Sequence, residues 1–268
     1  MYCNATCKKK HKKKHKKACD RRVAELHDEL LFKQPPPLYG DCPICFLRMP
    51  SHHTGSKSKS CCGKQICSGC HHANAKIDIN KQLCAFCRTP NYSSDSESIE
   101  RTKKRVEKGD ATAIANLGFH YAHGEMGFPQ DINKALELWQ KAGGLGHALA
   151  YYNIGCIYEN GTGVEVDEKK AVHYYELAAT GGDVLARNNL GCIEEEAGNL
   201  ERAKKHWMIA VKDGYADSLA TIQSLYSSGE ATKEEFAQSL RSYQAYLCEV
   251  KSSQRDEAAA YSDDYKYY

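Results

Sequence analysis

The 268-residue chain lacks any apolar run long enough to cross a bilayer. Its longest stretch free of Asp, Glu, Lys and Arg, residues 142–158, contains His147, Asn153 and several glycines, whereas a span needs ~20 mostly apolar residues. An apolar segment after Met1 is missing too: Cys3 and Cys7 lead straight into lysines, which predicts no secretory signal peptide. No glycine-rich phosphate loop, paired-carboxylate site or Ser/His/Asp constellation is discernible, so no side chain is assigned a catalytic role. Mean hydropathy is −0.63. The expectation is a soluble protein with no membrane span, residing in the cytoplasm and/or the nucleus.

What the chain does have is unevenly distributed. Residues 1–22 hold ten Lys/Arg and one Asp, a charge of +9. The formal total is +3, so residues 23–268 carry −6: an acidic body with a short basic arm. Of 14 cysteines, eight lie between Cys42 and Cys87, while Cys156, Cys192 and Cys248 are scattered singly. Without a signal peptide, paired Cys-x-x-Cys spacings point to metal ligands before disulfides.

Five segments follow from composition and periodicity. Residues 1–37 form a basic low-complexity arm and a short helix, with Val23, Leu26, Leu30 and Leu31 at helical spacing and a stop at Pro35-Pro36-Pro37. Residues 38–92 hold the cysteine cluster. Residues 93–108 are a polar linker, opening on Ser93-Ser94-Asp95-Ser96-Glu97-Ser98, with a lead-in helix; residues 109–250 are repetitive and helical; residues 251–268 are expected to be a disordered tail.

The repeat emerges on laying the C-terminal half against itself. Gly109, Gly146, Gly182 and Gly214 recur at spacings of 37, 36 and 32. Four residues after each stands Ala113, Ala150, Ala186 or Ser218; eight after, Leu117, Ile154, Leu190 or Ile222; nine after, Gly118, Gly155 and Gly191, with Gln223 breaking the series. Asp131, Asp167 and Asn199 each precede an alanine by four, as N-caps do, and a second alanine follows seven later. The leading glycine ends each helix in a left-handed conformation. Each unit is therefore predicted to be a helix-turn-helix hairpin whose apolar face is covered by the next.

These residues carry a resemblance. Leu117-Gly118-x-x-Tyr121 with Asp131-x-x-Lys134-Ala135, and Ile154-Gly155-x-x-Tyr158-x-x-Gly161-x-Gly163-Val164-x-x-Asp167-x-x-Lys170-Ala171, resemble Sel1-like repeats, relatives of the tetratricopeptide repeat, over about residues 109–230. The resemblance implies a mainly α fold, a helical solenoid whose groove takes a protein or peptide client.

The cysteine ladder reads Cys42-x-x-Cys45, Cys61-Cys62, Cys67-x-x-Cys70, Cys84-x-x-Cys87. Zinc takes four S or N ligands in a tetrahedron, and a Cys-x-x-Cys turn delivers two, so eight thiolates suffice for two ions. So short a segment, with few large apolar side chains, hardly folds without metal. Order and loop lengths resemble a RING finger, a small α+β module. The resemblance implies a cross-brace, with Cys42, Cys45, Cys67 and Cys70 on one zinc, and Cys61 and/or Cys62 with Cys84 and Cys87 on the other. The second site departs from the family: Lys64 stands where a ligating histidine is usual, and an ammonium cannot ligate. Cys61 is the first choice for the fourth ligand; His71, His72, His52 and His53 are the alternatives.

RING-type ligases have no nucleophile; they hold a ubiquitin-charged conjugating enzyme in an attack-ready pose, which is catalysis by positioning. The resemblance places this role on Ile44 in the first knuckle and Arg88 after the last ligand, although Ala85 replaces a common proline. The other reading packs Ile44 in the finger's own core, leaves Arg88 a solvated charge, and makes the protein a non-enzymatic scaffold. The Lys8–Lys17 run suits an import signal, a charge-based nucleic-acid contact or a solvated tail. Cys3, Cys7, His11, His15 and Cys19 recur every four residues without forming a tetrahedral set on one helix. Cys156, Cys192 and Cys248 are expected to be buried packing residues.

Overall fold

The computed structural model describes residues 12–51, 55–77 and 83–267. The chain divides into two units, residues 1–34 and 35–268. In the first, helix α1 (Lys12–Leu31) starts inside the lysine run, earlier than expected, and carries Arg21–Glu25 (3.0 Å) and Arg22–Glu29 (3.1 Å) ion pairs. Val23 and Leu30 are exposed. Cys3, Cys7 and His11, like His52 and His53, lie outside the described residues.

The second unit begins with the cysteine segment. Strands β1 (Ser56–Ser58) and β2 (Gln65–Cys67) pair antiparallel, Lys57 facing Ile66, and β2 runs into helix α2 (Ser68–Ile77). Helix α3 (Asp95–Glu107) follows. Its opening, read from composition as a polar linker, is already a helix start. The Ser94 hydroxyl accepts from the Glu97 N–H (3.3 Å) and the Glu97 carboxylate accepts from the Ser93 N–H (2.8 Å), so the serines cap a helix. Arg101 donates to the Pro90 carbonyl (2.8 Å), and Arg105 is buried against Asp110 (2.6 Å).

Four helical hairpins come next: α4 (Ala111–His123) with α5 (Ile132–Gly144), α6 (Ala148–Asn160) with α7 (Glu168–Thr180), α8 (Val184–Glu196) with α9 (Leu200–Lys212), and α10 (Ala216–Ser228) with α11 (Lys233–Val250). Asp131 and Asp167 cap α5 and α7 through their side chains; Asn199 sits at the start of α9 without a side-chain cap bond. Gly109, Gly146, Gly182 and Gly214 all take φ between 75° and 94°, the left-handed turn their spacing predicted.

The second glycine series explains the packing. A Cβ at Gly118, Gly155 or Gly191 would lie 2.7, 2.5 or 2.4 Å from the ring of Trp139, Tyr175 or Trp207. Each ring comes from the second helix of the same hairpin and follows the buried alanine by four residues, so hydrogen in place of methyl seats one large aromatic per repeat. Gly155→Ala should therefore destabilise the protein by about 1–3 kcal/mol in urea unfolding, although helix propensity alone favours alanine by ~1 kcal/mol. Cys156 is half-buried, its sulfur accepting from the Tyr175 hydroxyl (3.4 Å), while Cys192 and Cys248 are exposed, correcting the expectation of buried cysteines.

Residues 251–268 were expected to be disordered, and here too the structure differs. Helix α12 (Ser253–Tyr261) is capped by Ser252 and followed by a 3₁₀ turn at Asp263–Tyr265. It packs on α2, with the His72 and Tyr261 rings 4.8 Å apart and Lys76 paired to Glu257. Among the described residues no helix is long and apolar enough to cross a membrane.

The cysteine module rests on the turns between hairpins. Gly63 abuts Arg105 and Asp110, Leu38 lies against Gly182, and Arg48 bonds Asp213 (2.7 Å) and Glu249 (2.7 Å) while lying over the Tyr246 ring. The Ser51 N–H donates to the Tyr246 hydroxyl (3.0 Å). Asp183 caps α8 within this interface, accepting from the Ala186 N–H (2.8 Å), and burial raises its pKa to about 6. A buried carboxyl shifted upward favours its neutral form, so this group stabilises the fold in acid. That contribution is lost as pH climbs from the ordinary value of 3.8 through about 6. Asp183→Asn keeps a cap and removes the titration. The variant should match wild type near pH ~4 and exceed it at neutral pH by up to about 3 kcal/mol, read by denaturation at each pH.

Candidate metal centre

Two sequence-local devices build the centre. In the first knuckle the Cys42 N–H donates to Leu47 O (2.9 Å) and the Phe46 N–H to Cys42 O (2.8 Å). In the second, the Cys84 N–H donates to Thr89 O (2.9 Å) and the Arg88 N–H to Cys84 O (3.1 Å). Phe46 (φ 57°) and Arg88 (φ 58°) thus hold equivalent left-handed positions, each just after the second cysteine. Such a conformation is costly for a residue with a Cβ and is held by the surrounding turn.

The remaining ligands come from the hairpin and its helix. Cys61 and Cys62 occupy the turn between β1 and β2, where Gly63 (φ 75°) lets the chain reverse and its N–H donates to Lys59 O (2.8 Å). Cys67 ends β2, and Cys70 lies in the first turn of α2. The fold brings Cys42, Cys45, Cys67 and Cys70 together, and separately Cys61, Cys62, Cys84 and Cys87; within each group every sulfur lies within 4.8 Å of the others.

Sulfur–sulfur distances include Cys45–Cys67 at 3.8 Å, Cys62–Cys84 at 3.8 Å and Cys61–Cys87 at 3.4 Å. A tetrahedron with metal–sulfur bonds of about 2.3 Å has edges of about 3.8 Å, so each group can hold one metal ion. The thiols respond electrically to this crowding. Hydrogen bonding from Cys67 holds Cys42 down to about 4 while pushing Cys67 itself up, and burial raises Cys70 to about 12. The Thr89 hydroxyl lowers Cys87 to about 6, whereas burial raises Cys61 and Cys62. Four thiols share each space, and a divalent cation is what lets all of them ionise.

The candidate substitutes for Cys61 are engaged elsewhere or outside the described residues. His71 Nδ1 lies 3.4 Å from the Tyr265 hydroxyl, and His72 is buried against Tyr261. Lys64 is exposed. Ile44 (39% exposed), Phe46 (77% exposed) and Arg88 all face solvent, while the finger's core consists of Cys42, Met49, Ile66, Cys67 and Cys70 with Tyr39 and Phe86 against it. Sequence reasoning missed Arg255, wholly buried and 3.8 Å from Cys45 Sγ through Nη2. Nothing in its local pattern marks it; the serine cap before it is the one available signal.

Residues 111–147 and 148–183 each match the family described as Sel1 repeat. The first two hairpins are Sel1 repeats. A Sel1 repeat protein from Oxalobacter formigenes is similar in structure, with 25% identity over 71% of this chain and 73% of that chain and a TM-score of 0.50. So is c5321, a protective antigen of uropathogenic Escherichia coli strains with an SLR fold, at 24% identity and TM-score 0.51, over 64% of this chain and 38% of that one. The latter likeness is one of fold. Among curated proteins none matches the sequence.

Proposed function

We propose that the cysteine module is a RING-type finger folded around two zinc ions, and that the protein is a ubiquitin ligase or ligase-like adaptor whose Sel1 repeats receive a protein client. The observation that carries this reading is the surface of the two knuckles. Ile44 and Phe46 stand clear of the finger's core on one, and Arg88 is free of it on the other. Exposed apolar side chains on one knuckle and an exposed guanidinium on the other suit a partner that presents apolar groups and backbone carbonyls, since the planar guanidinium bridges two acceptors at once. With the cysteines of both knuckles given to metal, neither knuckle keeps a nucleophile for such a reaction, and positioning is the chemistry available. Reduced thiol ligands also suit an intracellular setting.

Discharge of ubiquitin from a panel of charged conjugating enzymes tests the proposal. Wild type should accelerate discharge, and Ile44→Ala and Arg88→Ala should each lower that acceleration by about tenfold, the worth of one lost hot-spot contact. No acceleration across the panel, with two zinc ions bound per chain, would sink it. A second reading, a non-enzymatic scaffold, draws support from the bonds of Arg48 and Ser51 to the last hairpin, which make the finger a fixed part of the repeat array.

A further inference from the structure

Arg255 is 0% exposed, and among the described residues no carboxylate lies within ion-pair distance of it. Its Nη1 donates to the carbonyls of Arg48 (2.8 Å) and Val250, and its Nη2 to the carbonyl of Leu47 (3.4 Å) and to Cys45 Sγ (3.8 Å). Carbonyl dipoles solvate a guanidinium but do not neutralise it, and burying an uncompensated cation is strongly disfavoured. The negative groups beside it are sulfurs, those of Cys45 and Cys67. Four thiolates around one divalent ion leave a doubly negative cluster, which a buried guanidinium from outside the finger complements.

We propose that Arg255 is the counter-ion of the first cysteine group, so that metal binding there and docking of α12 are one coupled event. This rests on the metal-binding reading of the cysteines. The Gln254 side-chain amide lies 3.9 Å from Cys70 Sγ, and Gly69 lies so close that an added Cβ would sit 2.8 Å from the Arg255 backbone nitrogen. Contacts of Tyr261 with His72, Glu257 with Lys76 and Tyr265 with His71 run the docking along α2. Among the described residues no cation bonds a sulfur of the second group, whose contacts are Cys62–Cys84, Cys61–Cys87 and Cys87–Thr89 and whose Cys87 is exposed. Coupling of this kind is reciprocal: metal loss releases α12, and displacing α12 loosens the metal. The C-terminal segment is thereby a latch that reports the state of the finger to the last hairpin, where Val250 and Tyr246 anchor it.

The full-length protein loaded with zinc tests this through chelator-driven release followed with a colour indicator. Arg255→Met should speed release of one ion by about 10–100-fold, the usual effect of losing an outer partner, and leave the other unchanged. Arg255→Lys, which keeps the charge, should fall between. Ala258→Asp places a charge at a fully buried position on the same face of α12 and should reproduce the effect with Arg255 intact. Amide exchange over 253–261 should be slow in the loaded protein and fast after chelation. Superimposable release curves for wild type and both Arg255→Met and Ala258→Asp would overturn the proposal, as would equal protection of 253–261 with and without metal. A wild-type chain that takes up no zinc would instead overturn the metal reading beneath it. The ion at the second group and the helical circular dichroism serve as internal controls for misfolding.

Discussion

Cys70→Ser is expected to unfold residues 38–92 while most of the helical circular dichroism survives. Three of the five buried members of the finger's core are themselves proposed ligands, Cys42, Cys67 and Cys70, with Met49 and Ile66 as the others. That apolar set is too small to offset the entropy of ordering the segment, and the proposed zinc would supply the balance, on the order of 10 kcal/mol for a structural site. A serine hydroxyl is a poor replacement for thiolate on zinc. The repeats keep a separate core around Trp139, Ile114 and Ile154, which does not include the finger. Amide exchange should show protection lost across 38–92 and α12 and kept in α4–α7. Intact protection of the finger would refute its dependence on metal; collapse of the whole helical signal would refute the independence of the repeats.

Trp207→Ala should cost about 3–5 kcal/mol, the range for deleting a large aromatic from a packed core. Trp207 is wholly buried among Ala203, Val211, Ile222, Leu225 and Ala231, and its ring lies on the bare backbone of Gly191. That close approach leaves a cavity that neighbouring helices cannot readily fill. Because solenoid stability is transmitted between adjacent units, the loss should concentrate in α8–α11, with α4–α5 far less affected. Urea unfolding should broaden or split, and amide exchange should rise first in the last two hairpins. Uniform loss of protection along all four hairpins would show the array to be a single cooperative block. The same variant should hasten release of finger metal, since Asp213 at the end of α9 anchors Arg48.

The corrected expectations share a cause. Ser94-Asp95-Ser96-Glu97 is a recognisable helix start, since a serine three residues before a glutamate satisfies free N–H groups. Its acidic, serine-rich composition equally describes a spacer, and composition cannot separate the two. What decides is Arg105, buried where Asp110 and the Lys59 carbonyl receive it (3.5 Å to the latter). The C-terminal segment is parallel. Its alanines suit a short helix, but one of nine residues is marginal alone, and docking on α2 stabilises it.

Local spacing by itself determined the repeat architecture and the Cys-x-x-Cys pairs, while the sorting of those pairs into two groups was implied by the RING resemblance and matches how the sulfurs cluster. Caps, left-handed glycines and Cys-x-x-Cys turns act over four to ten residues, within reach of a pattern in the chain. Tertiary structure alone decided that the finger is seated on the repeats and closed by α12. Arg48 meets Asp213 and Glu249, Ser51 meets Tyr246, and Arg255 meets Cys45, pairs about 165 to 210 residues apart. Arg48, Tyr246 and Arg255 each read in isolation as an ordinary surface arginine or tyrosine; burial beside a particular partner gives each its role, and burial is a property of the whole fold.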